Sequence, residues 1–249
     1  MNKMTFSLTP EPDALAAAGH GRLHHDVARR LALRIVSGEY PTGHLFTAEV
    51  EHADALGVSR SVLREAFRML TAKGLVSSRP KAGTWVNERK RWNLIDPDVL
   101  AWQLQCGASD AFLRDLFELR RVVEPQAAEM AALRREESQL LDMANALDTM
   151  EHHTLQSEKG RAADLRFHAL LMEATHNEML LALSNSILTA IASTTAVKQH
   201  IHVHPRDPMP EHRELHRHIA DRSPGRARRA MRKLIDLALG DMEMALKHF

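Results

Sequence analysis

Several ionisable residues in the second half of the chain fall where a helical pattern calls for core. Arg120 and Glu124 lie four residues apart on the stripe begun by Leu113 and Phe117. Such a pair can close on itself as an ion pair. Alternatively, the guanidinium can face a pocket and grip a carboxylate through two parallel N–H bonds. Asp164 and His168 are also four apart, on the stripe continued by Leu171. That spacing aims both side chains at one point, as an oxygen–nitrogen metal pair requires. His212 joins Leu215 and Ile219 on another apolar stripe. A lone histidine there reads as a hydrogen-bonded core residue. Together, Arg120, Asp164, His168 and His212 read as one site shared by separate helices.

The first third of the chain carries a different chemistry. Around Arg60–Arg68, Val62, Leu63, Ala66 and Phe67 define one helical face, and Arg60, Ser61, Arg64, Glu65 and Arg68 the opposite one. An arginine at a helix start can read guanine O6 and N7 together, and Ser59 or Ser61 can bind phosphate or base edges. The run Ala53-Asp-Ala-Leu-Gly57-Val-Ser-Arg-Ser-Val-Leu63 has helix-turn-helix spacing: a small residue where helices approach, a glycine for the turn, an apolar residue packing back. Arg79, Lys81, Gly83 and Thr84 would form the basic tip of a following hairpin, with glycine allowing close backbone approach to a groove.

Other chemistries find less support. His212-Arg-Glu-Leu-His216 resembles a zinc-protease helix only superficially, because the general-base glutamate belongs directly after the first histidine. There is no Gly-x-Ser-x-Gly elbow, phosphate-binding glycine loop or dinucleotide fingerprint. Cys106 is the single cysteine, so the chain forms no internal disulfide and no cysteine zinc finger. A metal-dependent hydrolase and an unregulated architectural DNA-binding protein are the rival functions. The latter leaves polar residues on core stripes without a purpose.

The elements that must position these residues are mostly helices. One tyrosine among 249 residues, with abundant Ala, Leu, Arg and Met, favours helix over strand. Residues 1–21 read as a flexible arm, 22–91 as a winged helix-turn-helix with a small β hairpin, 92–108 as a linker, and 109–249 as an all-α bundle. Bundle helices are expected near 110–134, 136–155, 161–176, 178–199, 210–221 and 224–247. Asp98 or the Asp96-Pro97 pair could start a short helix in the linker, where Trp92 and Trp102 lie. No run of about 18 apolar residues is present and the N-terminus lacks an apolar signal core, so no membrane association and a cytoplasmic location are expected.

The formal net charge of +1 conceals a division. Residues 1–91 hold 14 Lys+Arg against 9 Asp+Glu, so +5, while residues 92–249 hold 19 against 23, so −4. The basic part coincides with the helix-turn-helix, as phosphate binding requires.

Residues 41–86, with Val58-Ser59-Arg60, Arg64-Glu65-Ala66 and the Gly83 wing, resemble the winged helix-turn-helix of the GntR family of bacterial transcription regulators. The resemblance implies that Arg60, Arg64 and the wing glycine contact DNA. Many members carry arginine where this chain has Val50. Glu118-Leu-Arg120…Glu124-Pro125, Asp164-Leu-Arg-Phe-His168 and Glu211-His212 resemble the FCD effector domain of the FadR-like branch. It implies a divalent ion, zinc or similar, held by Asp164, His168 and His212. The family's further histidine ligand should fall at Leu234; His216 is an alternative donor, and a metal-free effector site is the other reading. The junction WNLIDPDVLAWQLQ is similar to that of sugar-acid operon repressors. The resemblance therefore implies a homodimeric repressor on palindromic double-stranded operator DNA, released by a small carboxylate such as an aldonate.

Overall fold

A computed structural model describes residues 20–46, 49–201 and 206–247, which divide between two compact units meeting in sequence at Ala108 and Ser109. Most of the expected arm lies outside the described residues, as does the side chain of Val50.

In the first unit, helix α1 (His20–Val36) buries Val27, Ala28, Leu31, Ala32 and Ile35 along one face, and Gly38 ends it in a left-handed turn. Helix α2 (Glu49–Leu56) leads through Gly57, at φ +66°, into helix α3 (Arg60–Ala72). The Ser59 hydroxyl caps α3 by accepting from Val62 N at 3.3 Å. Gly74 closes it at φ +76°, where an added Cβ would stand 2.1 Å from the Arg91 carbonyl oxygen. The conformation and the close approach both demand glycine.

Strands β1 (Leu45–Phe46), β2 (Val76–Arg79) and β3 (Gly83–Val86) form an antiparallel sheet in the order β1-β3-β2. The hairpin β2–β3 matches the expected wing. Strand β1 is an addition, since two residues carry no alternation to read. Phe46 supplies its inward side chain, against Phe67 of α3.

The segment 92–108 does not run as a free linker. Asp96 accepts from Asp98 N and Val99 N and starts helix α4 (Pro97–Gln105), with Pro97 in its first turn. Val99 and Trp102 of α4 enter the core of the first unit beside Leu31 and Leu70, and Trp92 packs at its edge. Both tryptophans thus pack in or against the core of the first unit.

The second unit is a helical bundle, with six helices among the described residues: α5 (Asp110–Arg134), α6 (Glu137–His153), α7 (Glu158–Glu173), α8 (Glu178–Ile201), α9 (Met209–Ala220) and α10 (Pro224–Lys247). Helix α5 packs along α10 and α6 along α7, around a core containing Phe117, Leu147, Phe167, Leu171, Leu215 and Ile235. The Ser157 hydroxyl caps α7 on Gly160 N at 2.9 Å. The window Glu178–Ala196 of α8 has mean hydropathy 1.4 and is long and apolar enough to cross a membrane by length and composition. That qualifies the expectation from apolar runs, although a core helix of a bundle meets the same test. Ser184, Ser186, Thr194 and Thr195 interrupt this window and are buried.

Candidate nucleic-acid interface and metal centre

Helix α3 separates its faces cleanly. Val62, Leu63, Ala66, Phe67 and Leu70 are buried, whereas Arg60, Ser61, Arg64 and Arg68 are exposed. The Ser59 and Ser61 hydroxyls lie 2.9 Å apart at the helix start, so both stand beside Arg60. At the wing tip Lys81 takes a left-handed conformation, φ +64°, and Gly83 follows at φ +85°; both are exposed. Arg79 rests over the Trp85 ring at 5.7 Å, which steadies its guanidinium by cation–π attraction.

Thr84 departs from its expected role on this surface. It is buried, and its hydroxyl lies 2.7 Å from the Ser78 hydroxyl across the hairpin. Strand alternation explains the difference: beside exposed Gly83, the next side chain must turn inward.

In the second unit, α5, α7 and α9 bring Arg120, Glu124, Asp164, His168 and His212 to one place, all of them buried. Arg120 Nε donates to Glu124 Oε1 at 2.6 Å. Burial pushes the Glu124 carboxyl upward, but the Arg120 charge and the polar contacts with His168 and Arg120 outweigh it and bring the pKa to about 2. Glu124 is therefore ionised at neutral pH. Its Oε2 lies 3.3 Å from His168 Nδ1. The Arg120 terminal nitrogens make no further hydrogen bond among the described residues.

The proton positions follow from these partners. Ionised Glu124, 3.3 Å from Nδ1 though not aligned for a hydrogen bond, favours the His168 proton on Nδ1 and a lone pair on Nε2. His212 Nδ1 lies 2.8 Å from the Pro208 carbonyl, which can only accept, so its proton is also on Nδ1. His168 Nε2 and His212 Nε2 then face Asp164 Oδ1 at 3.8 and 3.2 Å. The three ligand atoms fall within 4.8 Å of one another, and His212 Nε2 is buried with no hydrogen-bond partner among the described residues. Two imidazole lone pairs converging on a carboxylate repel unless a cation lies among them. Zinc bonds of about 2.0–2.2 Å in a tetrahedron would separate their ligand atoms by roughly 3.4 Å. The residues therefore fit a divalent ion, and Glu124 and Pro208 would act as outer partners fixing the two rings.

The family model described as bacterial regulatory proteins, gntR family, matches residues 23–86, and the FCD domain model matches residues 115–237. The chain belongs to the GntR family. Mce2R, an HTH-type transcriptional regulator of Mycobacterium tuberculosis, is 32% identical over 232 residues, covering 86% of this chain and 88% of its own. The galactonate operon transcriptional repressor of Escherichia coli is 35% identical over 157 residues, covering 63% and 69%. The solved structure of Lar from Listeria monocytogenes shares the fold at 20% identity and TM-score 0.60, covering 89% of this chain and 97% of that one. This GntR–FCD protein is thus a DNA-binding transcriptional regulator, not an enzyme.

Two donor positions weighed from the sequence fall away. Leu234 is buried in the bundle's apolar core and offers no ligand atom where the family resemblance places a histidine. His216 Nε2 lies 3.1 Å from the Leu140 carbonyl, so that ring is committed to α6. Among the described residues, only Asp164, His168 and His212 form a metal-capable group. Sequence reasoning identified Glu124 as a pairing partner for Arg120 but missed its contact with His168. The Pro208 carbonyl, a backbone atom, carried no sequence signal.

Proposed function

We propose that this GntR–FCD regulator is a homodimeric repressor whose hold on palindromic operator DNA is released by a small hydroxy-carboxylate, a sugar acid such as an aldonate. Residues 22–91 read DNA through Ser59, Arg60, Ser61, Arg64, Lys81 and Gly83, and residues 109–249 bind effector and dimerise. Two copies are needed because two recognition helices must meet half-sites about one helical turn apart. The regulator works in the cytoplasm, where its operator lies.

The observation carrying this reading is the buried convergence of Asp164 Oδ1, His168 Nε2 and His212 Nε2 beside the Arg120 guanidinium. A divalent ion held there would supply Lewis-acid coordination for effector oxygens, since three protein donors leave positions open. Arg120 would orient a carboxylate with its terminal nitrogens, while Glu124 holds its Nε and faces His168 Nδ1. Phe167, fully buried, meets the rings of His168 and His212 edge-on at 5.7 and 5.4 Å and shields one side of the pair. The 35% identity to a galactonate operon repressor supports an aldonate over other carboxylates. Effector binding would favour a state less competent for DNA, and operator DNA must then weaken effector affinity by the same factor.

A thermal-shift screen of sugar acids, with and without chelator, joined to operator-release measurements, tests the proposal. A stabilising acid that also releases operator, and loses both effects with chelator, is expected. Operator binding indifferent to every acid in the presence of zinc would overturn it.

A further inference from the structure

The Glu211-His212 pair has a second half that DNA and effector binding leave unexplained. Glu211 accepts from Arg206 Nη1 at 2.7 Å, and Arg206 Nε reaches Asp241 Oδ2 on α10 at 3.1 Å. The three side chains are largely buried, at 28%, 13% and 15% exposure, so these ion pairs are only partly screened by solvent. Arg206 also opens the short strap that leads into α9. In that strap the Asp207 side chain accepts from Met209 N, two residues on, at 3.0 Å. The next carbonyl, that of Pro208, receives two bonds from His212, one from the backbone N–H at 3.2 Å and one from ring Nδ1 at 2.8 Å.

One carbonyl therefore sets both the rotation and the tautomer of the His212 ring. Little packing holds that carbonyl from the outer side. A cavity of about 290 Å³ separates Arg206, Pro208 and Met209 from Met150, Thr154 and Leu155 at the end of α6 and beyond. The strap is held instead through Arg206, which ties it to α9 one turn in and to α10 across the bundle.

We propose that Arg206 is a positioning residue for His212: by joining Glu211 and Asp241 it fixes the Pro208 carbonyl and so keeps Nε2 of His212 bare and aimed at Asp164. The inference rests on the metal-centre reading for its consequence, but the tautomer itself does not require a metal. Removing the guanidinium leaves two carboxylates facing each other in a partly buried place. The strap then loses its anchor, the Pro208 bond loosens, and a fraction of His212 carries its proton on Nε2, where it blocks a ligand.

The test uses the full chain, with ¹⁵N-histidine spectra of the metal-free protein and Co²⁺ titrations followed by visible absorption. His212→Ala assigns the His212 signals and the specific cobalt band among the 16 histidines. Wild-type His212 is expected as the Nδ1-protonated tautomer, with Arg206→Met and Asp241→Asn each giving a mixture. Both variants should bind cobalt about tenfold more weakly, and Arg206→Lys should recover part of that loss. Asp241→Asn serves as the milder variant should Arg206→Met not fold. An unchanged His212 tautomer in both variants overturns the proposal. A wild type without a His212-dependent cobalt band overturns the metal reading instead, and the tautomer comparison still decides the role of Arg206.

Discussion

Asp164 Oδ1 and His212 Nε2 stand 3.2 Å apart, and the His212 proton lies on the far side of the ring, on the Pro208 carbonyl. An asparagine at 164 could turn its N–H toward that bare nitrogen. Asp164→Asn should therefore stabilise the metal-free protein by about 1 kcal/mol, the worth of one buried hydrogen bond. It should also abolish stabilisation by zinc. Urea denaturation with chelator and with zinc measures both effects, and a metal-free variant less stable than wild type would contradict the proton assignment.

Arg120 is 5% exposed and Glu124 1%. Removing one partner strands a buried charge, so Glu124→Leu should cost roughly 3–5 kcal/mol. The double variant Arg120→Met/Glu124→Leu should recover most of that loss while losing the effector response. Equal destabilisation of the single and double variants in chemical denaturation would show that the pair is not coupled.

Lys73, the C-cap residue of α3, reaches Asp96 at 2.8 Å and Asp98 at 2.7 Å on α4. Burial pushes its pKa down, but hydrogen bonds and the charges of the two aspartates outweigh that and raise it above 10.5. A raised folded-state value means the contribution is full below the unfolded pKa and fades as pH climbs through the folded one. The stability gap between wild type and Lys73→Met should thus stay level from neutral pH to about 10 and close above it. A gap that closes below pH 9 would refute the assignment.

On the DNA face, Arg64→Ala and Lys81→Ala should each weaken operator binding and reduce the salt slope by about one. Thr84→Val should leave the salt slope unchanged, because that hydroxyl is spent on Ser78. Fluorescence anisotropy across a salt series separates these outcomes. A Thr84→Val slope as shallow as that of Lys81→Ala would put Thr84 back on the interface.

Gly74→Ala should cost more than about 3 kcal/mol, beyond the ordinary range for a single substitution. The added Cβ would collide with backbone, the Arg91 carbonyl at 2.1 Å, and the left-handed φ adds strain. Gly57→Ala has the same sign of φ but open space around it, so it should cost only about 1 kcal/mol. Thermal unfolding of the two variants side by side checks the contrast.

Much of this was legible from local pattern. The two faces of α3, the Ser59 cap and the six bundle helices follow from periods and punctuating residues, which act over one or two turns. Strand β1 was not, because a two-residue strand exists only through its partner β3. Helix α4 was expected, but its docking on the first unit, through Val99 and Trp102, depends on distant Leu31 and Leu70. Thr84 was misplaced because its exposure turns on which side of the hairpin meets the core.

For the site, residue types and spacing alone put Arg120 with Glu124 and Asp164 with His168, since i,i+4 partners on a helix must be neighbours. Bringing α5, α7 and α9 together was a matter for the tertiary structure. It decided that Arg120 spends its Nε on Glu124, that His216 turns to Leu140, and that Leu234 joins the apolar core. It also decided where the protons sit. A histidine's tautomer depends on what faces each ring nitrogen, and for His212 that partner is the Pro208 carbonyl, four residues earlier in the chain.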